Sequence, residues 1–165
     1  MIEMELIGVR VELPTNAPIV LLREVNGGAR LLPIFIGGTE AQAIALALEE
    51  VETPRPMTHD LFKNVLDDLG VRLERIIVTE LRERTFFAEL EFADANGQRR
   101  ISSRPSDAFA LAVRSGAPIF ASEEVLAAAG HVADMPLDSE DEPPEEVLDQ
   151  FREFLDQVNP EDFNG

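Results

Sequence analysis

Ser103-Arg104-Pro105-Ser106-Asp107-Ala108 decides how this chain reads, because Gly38-Thr39-Glu40-Ala41 partly repeats it. In each copy a small hydroxyl residue precedes a carboxylate. Alanines then recur, at Ala41, Ala43, Ala45 and Ala47 and again at Ala108, Ala110 and Ala112. Each copy also follows a strand-like run and a turn dipeptide, Asn26-Gly27 or Asn96-Gly97, of the kind that closes hairpins. The pattern predicts an internal duplication of a strand–strand–helix unit. Two helix N-termini, each with a carboxylate, would then meet in one fold.

Outward from these two copies, the hydrophobic periods set the rest. Residues 1–13 alternate as a strand, and a phase slip at Ile7-Gly8 predicts a bulge. Residues 19–24 and 31–36 are further strands, with Pro33 marking an edge or irregular position. Residues 39–51 form a helix with a Thr39/Gln42 capping box, apolar nearly all round and therefore expected to be buried. A stiff linker with Pro54 and Pro56 leads to a second helix, capped by Thr58 and ended by Gly70, with Leu61, Val65, Leu66 and Leu69 on one face. Strands follow at 71–81, 85–92 and 99–103. In the middle one Phe86, Ala88, Leu90 and Phe92 face inward and Phe87, Glu89 and Glu91 outward. A helix to Arg114, a short strand at 118–121 and a helix from Ser122 to Gly130 complete the order. Hairpins dominate it, so the expected class is α+β, a mostly antiparallel sheet packed with helices.

The chain has 165 residues, 45% of them hydrophobic, enough for one domain with a buried core and an appendage. Residues 1–130 form the domain. Residues 131–144, acidic and proline-bearing, read as a disordered linker. Residues 145–165 are an acidic tail with a short amphipathic helix that carries Leu148, Phe151, Leu155 and Val158 on one stripe. No run is apolar enough for a membrane span, and the N-terminus lacks the pattern of a signal peptide, so a cytoplasmic protein is expected. Without cysteine there is no disulfide, thiolate nucleophile or cysteine-held metal. The net charge of −18 divides into −11 on residues 131–165 (12 acidic groups, one Arg) and −7 on residues 1–130 (20 acidic, 13 basic). Nucleic-acid binders commonly present a basic face. The nearest cluster here is Arg82, Arg84, Arg99, Arg100 and Arg104, which also reads as a solvated sheet face.

Several chemistries find no signature: there is no His-Glu-x-x-His, Walker loop, dinucleotide glycine fingerprint or nucleophile elbow. His59 and Asp60 open a helix, where the pair reads equally as a capping or surface feature favoured by the helix dipole. Glu40 and Asp107 open the two related helices and read either as caps or, converging with Asp60, as hard oxygen ligands for Mg²⁺ or Mn²⁺. Such an ion would activate water and neutralise phosphate charge. Arg104 would steady a phosphate or bridge to a buried carboxylate.

Three ordered motifs carry a family resemblance: Leu32-Pro33-Ile34-Phe35-Ile36-Gly37, Pro54-Arg55-Pro56-Met57-Thr58-His59-Asp60-Leu61, and Ser103-Arg104-Pro105-Ser106-Asp107-Ala108. Over residues 1–130 the chain resembles the bifunctional nuclease domain family. The resemblance implies a compact α+β domain, homo-oligomerisation, and nuclease action on DNA and RNA as in some plant members. It marks Gly37, Glu40, Arg55, Thr58, His59, Asp60, Arg104, Ser106 and Asp107. Some relatives add a small helical module associated with nucleotide-excision repair proteins; here the acidic linker and tail stand in its place.

Two functional expectations result. In the first, the chain is a nuclease: Glu40, Asp60 and Asp107 hold a divalent ion, His59 moves a proton, Arg104 contacts phosphate, and Ser106 belongs to the same catalytic set. The excess of negative charge opposes a polyanionic substrate. In the second, the chain is a non-catalytic interaction module that oligomerises through the alanine-rich helix and docks its tail helix on a partner protein.

Overall fold

The structure, a computed structural model, describes residues 1–12, 15–27 and 30–132. The expected acidic linker beyond Val132 and the amphipathic tail helix lie outside the described residues.

The order of elements is β1 (Ile2–Glu12), β2 (Ala17–Glu24), β3 (Arg30–Phe35), α1 (Gly38–Leu48), α2 (Thr58–Asp68), β4 (Arg72–Arg82), β5 (Thr85–Asp94), β6 (Gly97–Ser103), α3 (Pro105–Ser115), β7 (Ile119–Ala121), α4 (Glu123–Ala129) and β8 (His131–Val132). The strands form one sheet in the order β6-β5-β4-β7-β1-β2-β3-β8. Every pairing is antiparallel except β4 with β7. The α+β class expected from the hairpin signals is therefore the class observed.

The two partial repeats occupy matching places. β1-β2-β3 and β4-β5-β6 are both antiparallel meanders, and each is followed by a helix, with α2 intervening after the first. β7 lies between them, parallel to β4 and antiparallel to β1, so the two meanders run in opposite senses. α1 packs on β1 and β2, α3 packs on β4 and β5, and the two helices pack on each other. Small side chains allow that approach: Ala41, Ala43 and Ala45 of α1 and Ala108, Ala110 and Ala112 of α3 are all buried.

The pleat sorts side chains as the alternation requires. Val20 and Leu22 of β2 stand opposite Ile34 and Leu32 of β3, and all four are buried. Ile76 and Val78 of β4 stand opposite Leu90 and Ala88 of β5, and continue the core across the other meander. Phe109 of α3 is fully buried in the same cluster, with Val125 and Leu126 of α4. The expected bulge is present: the β1–β2 register shifts between Leu6 and Gly8. Pro33 sits beyond the two β3 residues that β8 covers, Arg30 and Leu31, so its missing N–H costs no ladder bond.

Several local expectations change. The first helix starts at Gly38 with Gly37 as its N-cap and no side-chain cap, so the Thr39/Gln42 box does not form. It ends at Leu48, which is exposed together with Val51. The second helix is capped from Met57 rather than Thr58; the Met57 N–H donates to Asp60 Oδ2 at 2.9 Å. Glu91, expected to face water, is buried, because Arg75 and Arg100 lie over it at 2.5 and 2.7 Å and supply charge in place of solvent. His131 and Val132, read as the head of the linker, pair with Leu31 and Arg30 as a two-residue strand.

Phe109→Ala is expected to lower the unfolding free energy by about 3–5 kcal/mol, because the cavity lies where sheet, α3 and α4 meet and cannot collapse. Urea unfolding of the variant beside the parent chain measures it; a loss under about 1 kcal/mol would contradict this placement of the core.

Candidate functional site

Three helix starts carry the candidate residues, and each places a carboxylate at the same step. Gly37, Met57 and Arg104 are the N-caps, and Glu40, Asp60 and Asp107 each stand three residues later. A carboxylate there is favoured by the unpaired N–H groups and the positive end of the helix dipole. This local preference explains the residue types. It does not bring the three together; tertiary packing does that for two of them.

Arg104 joins the two related helices. Its Nε donates to Asp107 Oδ2 at 2.7 Å and its Nη2 to Asp107 Oδ1 at 3.1 Å, a two-pronged contact on one carboxylate. The same Nη2 donates to Glu40 Oε1 at 2.8 Å. Glu40 can reach because Gly37 has no side chain: a Cβ there would lie 2.2 Å from Glu40 Oε2. His59 completes the group, with Nε2 3.2 Å from Asp107 Oδ1. Glu40 and His59 side chains are each 16% exposed, whereas Arg104 is 66% exposed. The result is a shielded imidazole–carboxylate pair beside an accessible guanidinium.

Asp60 faces a different cation. Arg114, on the last turn of α3 and 8% exposed, donates from Nε to Asp60 Oδ1 at 2.5 Å. Its Nη1 donates to the Ala110 carbonyl at 2.8 Å and its Nη2 to the Ala43 carbonyl at 2.9 Å. One side chain therefore ties α1, α2 and α3 together, and it holds the N-terminus of α2 so that His59 meets Asp107. In the sequence Arg114 marks only the end of a helix. The available signal was a long cation four residues after Ala110 on an alanine-rich helix, a position that buries its stem.

Electrostatics follow from these contacts. Partial burial pushes the Asp107 carboxyl upward, but hydrogen bonds from Arg104 and His59 outweigh it and hold the group below its ordinary value. Burial likewise opposes, and Arg114 with the Met57 N–H overcomes, at Asp60, which is also held low. Hydrogen bonds from Asp107 and Glu40 raise Arg104 further above its already high value, so it stays charged.

Among the described residues no three His, Cys, Asp or Glu side chains are grouped to hold a metal ion. Glu40 and Asp107 meet, but a guanidinium stands between them, and Asp60 turns to Arg114. As arranged, the expected Glu40, Asp60 and Asp107 set does not fit one shared Mg²⁺ or Mn²⁺. Ser106 is buried at the second position of α3. Arg55 and Thr58 are exposed, Arg55 in the α1–α2 loop and Thr58 at the first position of α2. The arginines of β4–β6 do not gather with Arg104: Arg99 pairs with Asp94, Arg100 with Glu91, and Arg82 lies over the Phe87 ring.

Comparison with known proteins gives the family. The profile of the bifunctional nuclease domain matches residues 20–134, and this chain belongs to that family. It is 47% identical over 167 aligned residues to an uncharacterized protein of Mycobacterium tuberculosis, covering 99% of this chain and 98% of that protein. It is 30% identical over 112 residues to Bifunctional nuclease 2 of Arabidopsis thaliana, covering 65% of this chain and 34% of the plant protein. Bifunctional nuclease 1 of the same plant is 29% identical over 105 residues, 62% of this chain and 32% of its own length. No helix among the described residues is long and apolar enough to cross a membrane.

Two outcomes are expected from the site's geometry. Arg114→Ala leaves the Asp60 carboxylate and the Ala43 and Ala110 carbonyls without this donor and should cost about 3 kcal/mol in urea unfolding. The depressed acids set a pH dependence. Unfolded aspartates titrate near ~3.9, so the stability from Asp60 and Asp107 is fully present above that value and disappears as pH falls through their lower folded-state values. Between about pH 5 and about pH 2 the thermal midpoint should fall further for the parent chain than for an Asp60→Asn/Asp107→Asn variant; parallel curves would show that the two acids lack this role.

Proposed function

We propose that this chain is a nuclease that hydrolyses phosphodiester bonds of RNA or DNA at the group formed by His59, Arg104, Asp107 and Glu40. The observation that carries the reading is the His59–Asp107 contact set beside Arg104, within a family whose plant relatives bear the name bifunctional nuclease. His59 would take a proton from water as the water oxygen bonds to phosphorus. The bond from phosphorus to the leaving oxygen breaks; that oxygen takes a proton from solvent water, and His59 later gives its own proton back to solvent. Asp107 is a positioning residue in this scheme: its contact with Nε2 orients the imidazole. Arg104 meets the phosphate oxygens as negative charge grows on them. Glu40 and Asp107 compete with phosphate for the guanidinium, so binding draws Arg104 partly away from them. The dipoles of α1, α2 and α3 add positive potential where the net charge of the domain opposes a polyanion.

The second reading, an interaction module without catalysis, is favoured by one observation. Two carboxylates already engage Arg104, which is what a purely structural bridge requires. Cleavage of single-stranded RNA and DNA by the full chain, with Mg²⁺, Mn²⁺ or chelator, separates the readings. The nuclease reading expects turnover that falls by at least about 100-fold in His59→Gln and substantially in Asp107→Asn. Retention in chelator would assign the chemistry to these side chains alone. Equal cleavage by the parent and both variants, or none by the parent in any condition, would favour the interaction module.

A further inference from the structure

Phenylalanine is the chain's one aromatic residue type, with ten Phe and no Trp or Tyr. Among the described residues two of these rings are exposed, Phe35 and Phe62. Phe35 follows buried Ile34 on β3, so the pleat turns it to the face away from the core. Phe62 stands on α2, three residues after His59. Residues at that spacing are neighbours on a helix surface, with Cβ atoms about 5–6 Å apart. His59 turns to Asp107 of α3, and the Phe62 ring beside it is 48% exposed. Of the α2 face expected to enter the core, only Leu66 packs against it. Leu61 and Val65 are open to water as well, so an apolar surface runs up to the edge of the site.

The charge balance at the site says what that surface is for. Affinity for a nucleic acid grows with the number of phosphates that cations neutralise. Here the group offers one accessible guanidinium, Arg104, and two carboxylates already engage it. Residues 1–130 carry 20 acidic groups against 13 basic ones. Phosphate contacts alone are therefore a weak source of binding, and a substrate must gain affinity from its bases. Stacking on an aromatic ring supplies such a gain, and it tolerates any sequence because every base has a π-face. The base must be unpaired to offer that face. A duplex hides its base faces and sets one charge on every ~1.7 Å of its axis, so it meets the repulsion without the gain.

We infer that Phe62 is a platform on which a base of the substrate stacks while the adjoining phosphate meets Arg104 and His59, and that the substrate is single-stranded. The phosphate's place in this arrangement rests on the nuclease reading; the platform itself rests on the exposed ring beside the site. Phe62 touches the substrate but no reacting atom, so it governs selection rather than chemistry. RNA and DNA share the recognised feature, an unpaired base.

Phe62→Trp tests this, because it gives the chain a sole tryptophan on the platform. In chelator and low salt, single-stranded RNA and DNA oligomers should quench its emission saturably; quenching by one of the two upholds the platform and assigns the sugar. An abasic strand of equal length and the matching duplex should leave the emission unchanged. So should any strand added to Leu69→Trp, about two turns further along α2. Quenching alike by the abasic strand or the duplex, or equally in Leu69→Trp, overturns the platform whether or not the protein cleaves. In turnover, Phe62→Ala and Phe62→Leu, which keeps bulk without a ring face, should each raise KM for single strands about tenfold and alter kcat less, with the thermal midpoint held. Unchanged KM in both, beside lost cleavage in His59→Gln, overturns the platform and leaves the nuclease reading standing. Base-dependent quenching without cleavage by the parent supports the platform as a binding site and removes the nuclease reading alone.

Discussion

The placement of the site depends on the Arg114 guanidinium. Arg114 is nearly buried, and its donors reach a carbonyl of its own helix, a carbonyl of α1 and the Asp60 carboxylate of α2. Burying a cation is costly unless its donors find acceptors in good geometry. That requirement restricts how the three helices can lie on the sheet. α2 depends on it most, because its apolar face contributes little to the core. Without the clamp, Leu66 and the His59–Asp107 contact would remain to position that helix.

Arg104 works under the opposite condition. It is largely open to water, so its ion pairs with Glu40 and Asp107 contribute little stability on their own. Their consequence is local: a fixed positive group beside a shielded imidazole, at a point where helix N-termini converge. A rigid clamp below and an exchangeable cation above is an arrangement suited to binding anions, since only the upper group must move. In the proposed nuclease, the domain's excess of negative charge would oppose a polyanion, and binding would depend on what is gained at this one point.

Much of the architecture was legible in the chain. The two partial repeats, their hairpin turns and their alanine spacing correspond to two meanders with a helix each, and the alternation in β5 sorted its core face correctly. The carboxylates at 40, 60 and 107 were recognisable as helix-start residues because that preference is local. Glu40 and Asp107 were also expected to meet, and they do, at Arg104; Asp60 turns away to Arg114. An oxygen that satisfies its own helix terminus and one that waits for a metal look alike in sequence, and the arginines that engage Glu40 and Asp60 stand 64 and 54 residues away along the chain. Glu91 shows the same limit: its period assigned the outward face correctly, but nothing local showed that Arg75 and Arg100 would cover it.

Sequence alone determined the class of fold, the duplicated hairpin-and-helix pattern, and the residue types at the helix starts, because these follow from period, turn chemistry and backbone hydrogen bonding within a few residues. Tertiary structure decided which of those residues meet. Whether Asp107 faces a histidine, a metal or an arginine depends on the crossing of α1, α2 and α3, and that crossing is set by how small alanine side chains and one buried guanidinium pack, a property of contacts between segments rather than of any segment.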